Sequence, residues 1–73
     1  MDADYALLAR VVEAGSLSAA GRQMGLSPAM VSKRLARLEA RLGVKLVHRT
    51  TRRLTLTEAG ERFHADVVNI LEA

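Results

Sequence analysis

The 73-residue chain has no cysteine. Neither a disulfide framework nor a thiolate zinc site can therefore hold it together, and stability must come from packing or a partner chain. A reducing compartment, the cytoplasm, is the expectation. Long hydrophobic runs are missing as well. The apolar stretch Ala6–Ala9 falls far short of the roughly 20 residues a membrane-spanning helix needs, and the acidic start Met1-Asp2-Ala3-Asp4 does not resemble a signal peptide. No membrane partner is expected. The usual marks of chemistry are also lacking. His48 and His64 stand 16 residues apart without HExxH spacing, which argues against a metal site and leaves them as surface or packing histidines. No Ser, His and Asp arrangement is recognisable. Gly15, Gly21, Gly25, Gly43 and Gly60 are turn or packing positions rather than a phosphate-cradling loop. The expectation is no enzyme, no cofactor and no metal.

What the chain does have is enough apolar material to fold, 49% against 26% charged residues, in a length that suits one small domain with one core. The net charge of +3 hides a strong asymmetry. Residues 1–21 carry −2 and residues 54–73 carry −3. Residues 22–53 carry +8, with nine cations against Glu39 alone. Seven of those nine are arginines, whose planar fork suits phosphate oxygens and guanine edges better than an ammonium does. That segment points to nucleic acid, against the blander reading of a solvated cationic surface.

Helical spacing of Leu7, Leu8, Val11 and Val12 predicts a first helix over 3–14, with Asp2 or Asp4 as cap and Gly15 as stop. A short second helix is predicted from Ser18 to Met24, ending at Gly25. Ser27-Pro28 supplies a capping hydroxyl followed by proline at the first helical position, so a third helix should run from Pro28 to Leu42 and stop at Gly43. On a 100° wheel Leu35, Leu38 and Leu42 fall within about 40° of Val31 and form a core stripe with it. Met30, Lys33, Arg34, Arg37 and Arg41 fall together on a separate face, between about 200° and 300° from Val31. Lys45 to Arg49 and Arg53 to Leu56 read as a hairpin with a basic tip, Leu54 and Leu56 on one face and Thr55 on the other. Thr57 should cap a last helix with Glu58 and Glu61 in its first turn.

A short helix, a glycine-containing turn, a proline-started helix with a basic face and a basic hairpin together describe a helix-turn-helix with a wing. The expected fold class is mainly α: a three-helix core, a two-stranded β-hairpin wing and a C-terminal linker helix. With Gly15-Ser16-Leu17, Ala19-Ala20, Ser27 through Ser32, Leu38-Glu39, Leu42-Gly43-Val44, Leu46, Arg49-Thr50 and Leu56-Thr57-Glu58-Ala59-Gly60 in this order and spacing, the chain resembles the N-terminal DNA-binding domain of LysR-type transcriptional regulators. The resemblance implies sequence-specific binding of double-stranded DNA as a homodimer on an interrupted inverted repeat. Residues 1–57 would form the winged helix-turn-helix, and residues 58–73 would begin the dimerisation helix. The family's effector-binding domain, where a small-molecule effector would bind, has no counterpart here, so the chain reads as a fragment of a longer regulator.

The implied DNA-binding residues are Ser27, Pro28, Ala29, Met30, Ser32 and Lys33 in the recognition helix, and Arg49, Thr51, Arg52 and Arg53 on the wing. Arg34 and Arg37 are added from the basic face, where, as for Arg41, phosphate contact competes with simple solvation or pairing. For Met30, contact with a thymine methyl competes with a core position. Ser18 and Ser16 are caps that could also rest on the DNA backbone. Two positions depart from the family: Pro28 stands where glutamine is often found, and Lys33 where arginine is usual, so sequence preference does not transfer from relatives. The last helix, with Phe63, Val67, Ile70 and Leu71 on its apolar side, is either a lid on the wing or a dimer seam, and the seam is favoured. The competing readings of the whole chain are a winged-helix protein-interaction module and another winged DNA-binding family. The +8 segment argues against the first, and the Leu-Thr-Glu-Ala-Gly junction discriminates the second.

Overall fold

A computed structural model describes residues 3–49 and 54–72, with the side chain of Leu71 left aside. Three helices come first: α1 (Ala3–Ala14), α2 (Leu17–Met24) and α3 (Pro28–Leu42). A two-stranded hairpin of β1 (Val47–Arg49) and β2 (Leu54–Leu56) follows, and then α4 (Glu58–Glu72). The expected winged helix-turn-helix is the fold observed.

The helix boundaries follow from caps. Ser16, not Ser18, caps α2: its Oγ accepts from the amide of Ala19 at 3.0 Å, which leaves Ser18 as an exposed first-turn residue. The α2–α3 turn is made by Gly25 in the left-handed region at φ 70°, a conformation a side chain would resist. Ser27 caps α3 through the amide of Met30 at 3.2 Å, with Pro28 in the first turn as expected. At the start of α1 the expectation needs correcting. Asp4 lies inside the helix and is buried, and its carboxylate meets arginines of α3. Asp2 lies outside the described residues.

Leu7, Leu8 and Val11 of α1, Ala20 of α2, Val31, Leu35 and Leu38 of α3, and Leu46 and Val47 at the base of the wing form the core. Leu42, predicted to extend the core stripe, is 37% exposed. The wheel gives its direction correctly, but the chain reverses at Gly43 and the core is closed at that end by Leu46 and Val47. In the hairpin Val47 pairs with Leu56, His48 with Thr55 and Arg49 with Leu54. Leu54 and Leu56 are packed against the core and Thr55 is exposed, as the alternation predicts. The ladder begins only at Val47 because Thr57 takes the carbonyls before it, Lys45 through its hydroxyl (2.7 Å) and Leu46 through its amide (3.0 Å). The same hydroxyl accepts from the amide of Gly60 at 2.9 Å and starts α4. Gly60 passes so close to the wing base that a Cβ there would collide with the Leu46 carbonyl oxygen.

Candidate nucleic-acid interface

The first two turns of α3 divide their residues cleanly. Val31 is buried, whereas Ser27, Pro28, Ala29, Met30 and Lys33 are exposed, Met30 at 45%. Met30 is thus outside the core. Lys33 has no ion-pair partner among the described residues. The cap and the proline fix the direction in which this surface leaves the domain. A helix of 15 residues, about 22 Å long and exposed along this face, has the dimensions that enter a major groove.

The second half of the predicted basic face is arranged differently. Nη2 of Arg37 lies 2.8 Å from Oδ1 of Asp4, Nη1 of Arg41 lies 3.1 Å from Oδ2, and Arg34 approaches Oδ1 at 3.8 Å. Arg41 also stands 5.8 Å above the ring of Tyr5, a cation–π distance. One carboxylate from α1 thus gathers three arginines of α3. It ties the two helices together, and the cluster keeps an excess of positive charge. Arg34 and Arg37, expected on phosphate, have this structural partner at hand. The pairing was invisible to local spacing because Asp4 lies 33 residues before Arg37.

A second network ties the wing to α3. Glu39 is 4% exposed. Its Oε2 accepts from the amides of Leu46 (2.8 Å) and Val47 (3.3 Å), and its Oε1 lies 2.9 Å from Nη1 of Arg49, an ion pair without hydrogen-bond alignment. Burial by itself raises the pKa of this carboxyl. The two amides and the Arg49 guanidinium outweigh that effect and hold it below the ordinary value. Arg49 continues to Ser32, donating from Nε to Oγ at 3.2 Å and from Nη2 to the carbonyl at 3.4 Å. The sequence reading missed Glu39 as a structural hub. A usable signal was its position beside Leu38, at the border of the apolar stripe. Thr51, Arg52 and Arg53, expected at the wing tip, lie outside the described residues.

On α4 the expected dimer seam is redistributed. Val67 is 1% exposed, and Phe63 packs on the core with its ring edge-to-face against Tyr5, centroids 5.0 Å apart. Both are occupied within the chain, where α4 lies chiefly on α1 rather than on the wing. Ile70 points outward at 59% exposure, and the side chain of Leu71 is outside the described set. A cavity of about 300 Å³ beside α3 is lined by Ala36, Glu39, Ala40, Gly43, Val44 and Lys45, and one of about 360 Å³ between α1 and α4 by Ala9, Val12, Glu13, His64, Val68 and Glu72. Among the described residues no cluster of metal-ligating side chains occurs, and no helix is long and apolar enough to cross a membrane.

Residues 3–61 match the model of the bacterial regulatory helix-turn-helix protein, lysR family. The chain belongs to the lysR family. Among curated lysR-family relatives it is 46% identical over 70 residues to a probable transcriptional regulator, LtrA, of Klebsiella pneumoniae, covering 96% of this chain and 23% of that protein. It is 45% identical over 69 residues to the regulator DmlR of Escherichia coli, covering 94% and 22%. Full-length AphB, a virulence activator of Vibrio cholerae, superposes with a TM-score of 0.89 at 40% identity over 94% of this chain and 24% of its own. The DNA-binding domain of CbnR in complex with DNA superposes with a TM-score of 0.88 at 36% identity, covering 99% and 84%. The chain thus spans about a quarter of the length of full-length relatives and most of a separately crystallised lysR-family DNA-binding domain.

Proposed function

We propose that this chain is the sequence-reading module of a bacterial transcription regulator. It binds double-stranded DNA with α3 in the major groove and the wing on phosphates or the minor groove, without catalysis or cofactor. The observation that carries this reading is the exposed N-terminal half of α3. There Ser27, Pro28, Ala29, Met30 and Lys33 stand clear of the core on a rigid, capped helix in a segment of net charge +8. A major groove needs such an element, and side chains of these lengths reach base edges only from it. The exposed Ser18, in the first turn of α2, suits the DNA backbone. Arg52 and Arg53, together with Thr51, belong to the wing contacts on sequence grounds.

The module works as a homodimer on an interrupted inverted repeat, α4 lending Ile70 to the seam, and it acts in the cytoplasm, where duplex DNA is accessible. A small-molecule effector belongs to a further domain. Residues 1–57 form the reading unit and residues 58–73 begin the linker.

Selection from a randomised duplex pool, followed by salt titration on the enriched sequence, tests the reading. The expected result is an enriched inverted repeat whose log affinity falls steeply with log salt as counterions are released. No enrichment and no salt-dependent retention would favour a protein-interaction module.

A further inference from the structure

The guanidinium of Arg49 is used inside the chain. Nε and Nη2 clasp the hydroxyl and carbonyl oxygens of Ser32, and Nη1 faces Glu39 Oε1 at 2.9 Å. Each of the three nitrogens has an intramolecular partner. The charge is compensated by a buried carboxylate that is itself anchored by two amides. A guanidinium so committed gives two of its five N–H groups to Ser32, and a phosphate would have to compete with Glu39 for its charge. The partner at the other end is polar too. Ser32 lies in the second turn of α3, half-buried, between the exposed Met30 and Lys33. Its Oγ accepts from Arg49, and among the described residues its own proton is given to no acceptor. A helical serine is otherwise free to bond back to the carbonyl four residues earlier.

We infer that Arg49 is a positioning residue of the DNA-reading surface and not a phosphate ligand. By clasping Ser32 from β1, it holds the serine hydroxyl ready to donate to a hydrogen-bond acceptor on duplex DNA, and it sets the wing at one height over α3. This rests on the proposed reading of α3 as the element that faces DNA. The fitting acceptors are guanine O6 and N7, adenine N7, thymine O4 and phosphate oxygens. The cytosine amine, a donor, cannot take that proton.

The test measures binding of the selected duplex by the parent, Ser32→Ala, Arg49→Lys, the double variant and Arg49→Ala, with thermal melts to verify folding. Arg49→Lys keeps a cation beside Glu39 but cannot fork onto Ser32, so it remains informative even where Arg49→Ala fails to fold. Arg49→Lys and Ser32→Ala should each weaken binding about five- to tenfold, the scale of one lost hydrogen bond. The double variant should lose no more than either single, and the salt slope should stay parental. With that coupling, a flattened preference at one base pair assigns the acceptor to a base edge, and a uniform loss assigns it to a phosphate. Multiplying losses in the double variant would overturn the inference, as would parental binding by Arg49→Lys alongside a slope shallower by about 0.9 in Arg49→Ala. If the parent itself selects no sequence and shows no salt-dependent binding, the reading of α3 fails first and this inference with it.

Discussion

Replacing Glu39 by alanine removes the acceptor for two amides that have no other way out. Leu46 and Val47 are 1% and 4% exposed, so water does not replace the carboxylate, and each abandoned donor costs about 1–3 kcal/mol. Arg49 loses its counter-charge as well. Its side chain keeps 28% exposure, so solvent takes up part of that loss. Together the structure gives about 3–5 kcal/mol, against roughly 4–11 kcal/mol for the whole stability of a chain this long. Glu39→Gln retains an oxygen for the Leu46 amide and should cost only about 1–2 kcal/mol. Because the carboxyl is held below its ordinary value near 4.5, its contribution is complete above that value and is lost as pH falls through the lowered one. The glutamine variant should therefore have a flatter acid limb than the parent. Urea denaturation followed by circular dichroism, at neutral and acid pH, measures all three quantities, and amide exchange at Leu46 and Val47 localises the effect. An alanine variant within about 0.5 kcal/mol of the parent, with both amides still protected, would refute the hub.

Gly60→Ala should destabilise by about 1–3 kcal/mol or more, since the added Cβ meets the Leu46 carbonyl and neither backbone segment is free to move; an unchanged urea midpoint would contradict this. Asp4→Asn leaves Arg34, Arg37 and Arg41 facing one another without their shared carboxylate. It should cost about 1–2 kcal/mol, discounted because Arg37 and Arg41 are largely solvated, and added salt should restore part of the loss; salt-independent melting equal to the parent would remove the clamp. Lys33→Ala, at an exposed position, should relax base discrimination and cost about 1–3 kcal/mol on the selected duplex, and equal affinity for operator and mismatched duplexes in parent and variant would remove Lys33 from the reading surface.

Local signals carried most of the architecture. Ser27-Pro28 and Gly43 bracket α3, and the alternation of Leu54, Thr55 and Leu56 gives the face of β2, because caps and pleats depend on a few adjacent residues. What local patterns could not show are contacts between distant segments. The wheel places Arg34, Arg37 and Arg41 on one face and cannot say that Asp4 of α1 arrives there. It gives Glu39 a direction but not the returning amides of Leu46 and Val47. For Leu42 it reports an angle without the length of the neighbouring helices. For α4 an apolar side is legible, yet the division between Phe63 and Val67, packed within the chain, and Ile70, turned outward, depends on where α1 lies. Alternation along β1 places Arg49 on the face of Val47, and only the packing of the wing on α3 brings it to Glu39 and Ser32.

The central claim is that the N-terminal half of α3 and the wing are the surface that meets DNA. Backbone amide shifts of the isotope-labelled chain, followed during titration with the selected duplex, test it most directly. The predicted perturbations centre on Ser27 and Ala29–Lys33, with His48 and Arg49 beside them. Shifts centred instead on Ala9, Val12, His64 and Val68, along the α1–α4 groove, with α3 unmoved, would contradict it.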